Sequence, residues 1–144
     1  MEKIYHVGAR ISDVIISLSF ILVGWGLAIL FFVKLFDDSK IGYGVIFSLF
    51  GTGGLIWLIY NIIFIVRRNK TLKNGVTKEG TIAEIKITHN RYAIYFSAII
   101  AYENEAGEKC YSNVPIRKDE RQRYQEHSKV EIVVWKNFGS LIKY

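Results

Sequence analysis

The three histidines and the one cysteine of this sequence, His6, His89, His127 and Cys110, are the residues that could form a zinc site or a Cys–His nucleophile pair. Zinc sites are built on short fixed spacings such as C-x2-C or H-x3-5-H, which bring ligands together on one turn or hairpin. None of the four stands at such a spacing, and His6 is separated from the others by the whole first half of the chain. A Cys–His nucleophile pair would need an accessible thiolate beside an imidazole. Cys110 falls in a stretch where alternate residues turn inward, which predicts a packed and inert thiol. His89-Asn90 reads as a turn between strands, and His127 as a loop residue that tolerates an unusual backbone angle. No G-x-S-x-G, phosphate-loop or dinucleotide-binding glycine pattern is present. Gly51-Thr52-Gly53-Gly54 lies in an uncharged apolar run and is not placed to cradle a phosphate. The expectation is no catalytic residue, no metal and no cofactor, hence a protein that is not an enzyme.

One basic and aromatic group stands out instead: Arg117, Lys118, Arg121, Arg123 and Tyr124. Small barrels bind single-stranded nucleic acid through such charges and stacked rings. Glu120 and Glu126 interleave the group, and a nucleic-acid face should be clustered and unbroken. An acidic protein partner or anionic lipid fits it better.

The elements that position these residues follow from an uneven distribution of charge. The chain has 144 residues and a formal net charge of +6. Residues 1–66 carry four acidic and four basic side chains, whereas residues 67–144 carry nine acidic and fifteen basic ones. Residues 14–33 are uncharged for 20 positions, and residues 41–66 for 26. A membrane-crossing helix needs about 20 such residues. The sequence therefore predicts spans over about 14–36 and 41–66. A cleaved signal would have a shorter apolar core and a small-x-small site, where this chain has Phe31-Phe32-Val33. Asp37-Asp38-Ser39-Lys40 leaves room only for a turn, so the spans form an antiparallel hairpin. Gly24 and Ala28 on the first span, and Gly44, Ser48 and Thr52 on the second, are small residues spaced for close helix packing. Gly24 is expected opposite Thr52–Gly53, and Ala28 opposite Leu49. Neither uncharged run, 14–33 or 41–66, contains Asp, Glu, Lys, Arg or His, which argues against a transporter or pump. Asn61 is expected to meet headgroups or to cap a contact.

Arg67, Arg68, Lys70 and Lys73 follow the second span, and Lys3 and Arg10 precede the first, against Lys34 and Lys40 in the turn. Basic residues favour the cytoplasmic side, so both termini are expected there. The cluster Arg67, Arg68, Lys70 and Lys73 also suits anionic headgroups. The organisation expected is an N-terminal segment 1–13, a hairpin 14–66, a basic linker 67–76 and a β domain 77–144.

In that last segment alternation with period two replaces the apolar runs. Thr81–Thr88 places Ala83, Ile85 and Ile87 on one face. Tyr92–Tyr102, apolar on both faces, reads as the central strand or as a strand with one face toward membrane or a partner. Lys109–Arg117, Val130–Trp135 and Ser140–Tyr144 complete five strands, with a helical turn between Lys118 and Ser128. The fold class is a two-helix membrane hairpin followed by a five-stranded antiparallel barrel or curled sheet, of the OB or SH3 type.

Gly80-Thr81-Ile82, the run Ile100-Ala101-Tyr102-Glu103-Asn104-Glu105-Ala106-Gly107-Glu108, and Val130-Glu131-Ile132-Val133-Val134-Trp135 carry a resemblance. With the two spans, the chain resembles small bacterial membrane proteins that join two helices to a compact β domain, including the barrel tail of the NfeD-like proteins. That resemblance implies the fold and a bacterial inner-membrane location, and brings no catalytic residue with it. The family's usual glycine is replaced here by His127, and its prolines are missing from Lys136–Gly139. The expected function is a membrane-anchored interaction module that presents its β domain to a protein partner or to its own copies. The rivals are an immunity protein that neutralises a toxin and an accessory protein that binds anionic lipid.

Overall fold

The computed structural model describes residues 4–33, 41–91 and 93–142. The elements are β1 (Ile4–His6), α1 (Ile11–Phe32), α2 (Ile41–Asn74), β2 (Val76–Asn90), β3 (Ala93–Glu103), β4 (Lys109–Ile116), a 3-10 turn (Arg121–Arg123), β5 (Lys129–Trp135) and β6 (Phe138–Leu141). They form two compact units, one of residues 10–63 and one of residues 1–9 with 64–144, so the boundary falls inside α2. The end of the first predicted span (34–36) and the turn Asp37–Lys40 lie outside the described residues.

In the helical unit both helices are long and apolar enough to cross a membrane, and only 17% of the most apolar stretch of each is buried. They are therefore not wrapped like the core helices of a soluble protein. Their contact is made by missing side chains. A Cβ on Gly24 would lie 2.8 Å from Gly51 Cα and 2.9 Å from the Phe47 carbonyl, so the backbones touch there. Gly54 faces Phe20 and the Ser17 carbonyl in the same way, and Gly44 faces Phe31 and Phe32. Ala28 is buried and Ser48 half-buried, but Thr52 is exposed and its hydroxyl donates back to the Ser48 carbonyl at 2.8 Å. The stripe on α2 is thus Gly44, Gly51 and Gly54, and Gly24 meets Gly51 rather than Thr52–Gly53. Steps of four residues drift about 40° around a helix, whereas a step of seven returns to within about 20° of the same face. Phe31 stacks on Phe47, with centroids 5.6 Å apart, beside this seam. Asn61 is buried and its Nδ2 makes no hydrogen bond, so it does not stand at the surface of the unit where a headgroup would meet it.

The second unit is a single six-stranded sheet in the order β1-β4-β3-β2-β5-β6. β1 pairs parallel with β4, through Ile4↔Tyr111 to His6↔Asn113. All other neighbours are antiparallel. The sheet is therefore mixed, with six strands instead of five antiparallel ones, because the N-terminal segment expected to stand apart supplies an edge strand. Likewise, most of the segment expected as a linker is helical: α2 continues to Asn74, and only Gly75 separates it from β2.

β2 is longer than its alternation shows. Val76–Thr81 pairs with β5, and Thr81–Asn90 with β3. The register shifts between Ile82 and Glu84. A bulge adds one residue and bends its strand. Ile82 and Ile85 therefore both enter the core, and Ala83, expected inside, is only half-buried. The bend curls the sheet into a half-barrel around Ile82, Ile100, Ile132, Val134, Val114 and Tyr102. Its two outer strands are bridged by side chains: Tyr5 of β1 meets Phe138 of β6 edge-on, with centroids 5.4 Å apart. Central β3 and buried Cys110 stand where their alternation places them. β6 begins two residues before the predicted last strand, at Phe138, because Lys136 takes the positive φ of 53° that tightens the turn.

Candidate functional site

The polar side chains of the β unit fall into three groups. The first surrounds the C-terminal turns of α2. Arg67 Nη1 donates to the His6 carbonyl at 2.9 Å. Its guanidinium carbon lies 4.4 Å from the centre of the Phe138 ring and 5.6 Å from that of Phe64. A guanidinium over an aromatic face is held by the ring's quadrupole. Arg67 thus ties α2, β1 and β6 together. Arg68 packs its stem under Gly8, where a Cβ would stand 3.0 Å from Arg68 Cδ, and its buried Nε makes no hydrogen bond. Gly8 accepts this approach with a positive φ of 88°. Lys70 and Lys73 are exposed. Of the four residues expected at headgroups, two are engaged with the protein and two face outward.

The second group is the expected partner patch. Arg117 pairs with Asp119 at 3.7 Å, both side chains being largely exposed. Arg121 Nη1 folds back to the Tyr124 carbonyl at 2.9 Å. Tyr124 packs against the core instead of offering a ring to a ligand. Burial and the neighbouring Glu120 push its hydroxyl above the ordinary tyrosine range. Lys118 and Arg123 are exposed. The five residues share one segment around the 3-10 turn, but they are not one uniform binding face.

The third group was not visible as a site in the sequence. The Tyr102 hydroxyl hydrogen-bonds Ser112 Oγ at 2.7 Å and donates to the Asn137 carbonyl at 2.8 Å. Ser112 Oγ accepts from Gly139 N–H at 3.1 Å. Asn104 Nδ2 donates to Asn137 Oδ1 at 2.9 Å and to a Glu108 carboxylate oxygen at 3.1 Å. Its own Oδ1 accepts from the N–H groups of Ala106 and Glu108. Lys78 Nζ caps the Asn104 carbonyl at 2.8 Å. Tyr102, Asn104 and Ser112 are all buried. Burial pushes the Tyr102 hydroxyl up to about 12, against the opposing pull of its bond to Ser112. A buried polar cluster with its partners in place rigidifies a fold. The signal for its turn was the Asn-x-x-Gly pattern of Asn104–Gly107, in which the Asn side chain bonds the following backbone; Gly107 supplies the positive φ of 80°.

Two open grooves flank the first half of β2. One, of about 540 Å³, is lined by Lys78, Thr81, Tyr102, Glu103 and Lys109. The other, of about 400 Å³, is lined by Thr77, Glu79, Lys129 and Glu131. Lys129 contacts Glu79 at 2.7 Å, which raises its affinity for a proton. Among the described residues no three of His, Cys, Asp and Glu stand close enough to hold a metal ion. Burial and nearby Glu108 push the Cys110 thiol up, away from the thiolate that a nucleophile requires. The arrangement can hold surfaces together and offer charges at its rim. No family model, curated protein or solved structure matches this chain.

Proposed function

We propose that this protein is a membrane-anchored interaction module. α1 and α2 cross the bilayer as an antiparallel hairpin. The β unit stands in the cytoplasm and engages a protein partner or a further copy of the chain. The observation that carries this reading is the exposure of large apolar side chains along both helices, including Leu22, Val23, Ile29, Leu49, Phe50 and Ile56. A helix that is apolar on every side belongs inside a protein or inside lipid. The helical unit is too small to supply the first, which favours the second. Both termini face the cytoplasm on the count of flanking basic residues. The three sequence motifs support kinship with small bacterial inner-membrane proteins of this architecture.

The side chains of the β unit support binding over catalysis. Tyr102, Asn104, Ser112 and Glu126 spend their polar atoms on strands and turns. Exposed Lys118 and Arg123, in a half of the chain whose net charge is +6, suit an acidic partner surface. The test is extraction followed by cross-linking. The protein should remain in the membrane pellet through an alkaline carbonate wash. Photo-reactive groups at Lys118 and Arg123 should give one discrete cross-linked species in cells. Release by carbonate, or a monomer without cross-links at both positions, overturns the proposal.

A further inference from the structure

The end of the β2–β3 hairpin forms an arm outside the half-barrel. β5 flanks β2 only as far as Thr81↔Lys129, and β4 flanks β3 only as far as Phe96↔Ile116. β2 and β3 continue together through Thr88↔Tyr95, His89↔Ile94 and Asn90↔Ala93. By strand alternation, Ile87, Phe96 and Ile94 extend the face that carries buried Ile85 and Ala98. The core face therefore runs out of the core, and Ile87 and Ile94 are 49% and 46% exposed. A two-stranded ribbon is marginal in water without a surface behind its apolar face. From Ile85 to Phe96 the sequence holds Lys86 and Arg91 and no acidic residue.

The direction of the arm follows from contacts inside the β unit. The chain leaves this unit after Ala9 and re-enters at Phe64. These two points are joined, because Gly8 N–H donates to the Phe64 carbonyl at 3.0 Å. Gly8 also lies against Pro115, one residue from the end of β4. β1 runs parallel to β4, so both lead toward the Phe96↔Ile116 rung, and the arm continues past it. The arm thus leaves the β unit from the end at which the chain departs for its two apolar helices.

We propose that this arm rests in the headgroup layer of an anionic lipid surface, with Ile87 and Ile94 inserted, Arg91 at the turn among the phosphates and Lys86 adding positive charge from the opposite face. The inference builds on the membrane reading above. Ile87, Phe96 and Ile94 share this face with His89, Lys86 alternates to the opposite face and Arg91 stands at the turn, so the arm joins an apolar surface to positive charge without an acidic residue, a composition that lies in a membrane interface. The outer edges of the ribbon keep the arm shallow, because backbone groups at a sheet edge need water or headgroups as partners.

The full chain is reconstituted in vesicles of phosphatidylglycerol and phosphatidylcholine, with an environment-sensitive fluorophore attached at one introduced cysteine. Three variants are compared: Ile94→Cys on the arm, Ala106→Cys in the turn at the other end of the sheet, and Ile56→Cys on α2. Buried Cys110 is replaced by alanine throughout, and labelling stoichiometry confirms a single site. The proposal expects blue-shifted emission, quenched by spin-labelled lipid, at Ile94→Cys and Ile56→Cys and not at Ala106→Cys. Quenching at Ile94→Cys should weaken in K86Q/R91Q. Quenching at Ile56→Cys alone overturns the arm and leaves the anchor. No quenching at Ile56→Cys overturns the anchor itself. Self-contact between labels at Ile94→Cys without lipid quenching assigns the arm to a second copy and also overturns the proposal.

Discussion

The helical hairpin and the β unit solve the same problem by opposite means. In the hairpin, backbones meet where side chains are missing, as at Gly24 on Gly51. Its hydroxyls turn back on their own helix: Ser17 to Val14, Ser19 to Ile15 and Thr52 to Ser48. In the β unit, large side chains fill the space between strands, and Tyr102, Ser112 and Asn104 bond groups far away in sequence. Lipid offers no hydrophobic reward for joining two apolar helices, so close contact must supply it. Water rewards burial of bulk and penalises each polar group left without a partner. On the membrane reading, the surface each region presents follows from the solvent it meets.

The largest expected effect separates the two regions. Gly24→Leu should destabilise the hairpin by at least the roughly 1–3 kcal/mol usual for overpacking, because the clash is with backbone. Gly53→Leu, where nothing lies within 4 Å, should leave it intact. Thermal unfolding of both variants in the same detergent checks the contrast, and equal losses would break it. Next, Tyr102→Phe should cost the β unit about 1–3 kcal/mol by leaving buried Ser112 and the Asn137 carbonyl short of a partner.

The same tyrosine sets a pH dependence. Its folded-state value is raised to about 12, so the folded state holds its proton more tightly than the unfolded chain. The stability it contributes is complete below about pH 10 and is lost as pH rises toward 12. Denaturant melts across that window should show the fall in the native chain and a shallower one in Tyr102→Phe.

Arg67→Lys should cost about 1 kcal/mol or somewhat more, since an ammonium cannot both stack on Phe138 and reach the His6 carbonyl. Its signature is faster amide exchange in β1. Smallest of all is Lys129→Gln: its pair with Glu79 is short but exposed, so the melting temperature should not move.

Much of this contrast was legible in the residues. The two uncharged runs announced the helices, and alternation announced β3, β4 and β5, because those strands bury one or both faces over many residues. Three features escaped for physical reasons. Ile4-Tyr5-His6 is too short for a period of two to be seen, and its partner lies more than a hundred residues away. Val76–Gly80 is exposed on most of its length and reads as polar linker, although it pairs with β5. The bulge at Ala83 reverses which residues face inward, and nothing in the local pattern marks it. The basic clusters were legible as charge but not as contact: Arg67 and Arg121 are structural, while Lys70, Lys73, Lys118 and Arg123 remain at the surface. The Tyr102 cluster was hidden because its members come from strands and turns far apart in the chain, from Lys78 to Gly139.

The parallel pairing of β1 with β4 also constrains topology by parity. Two strands that share a ladder must lie in one compartment. The chain between His6 and Lys109 can therefore cross a bilayer an even number of times, and never once. With two helices among the described residues able to cross, both do or neither does. On the membrane reading this holds whichever way the basic residues orient the hairpin, and β1 would then pair with β4 only after the second helix has returned.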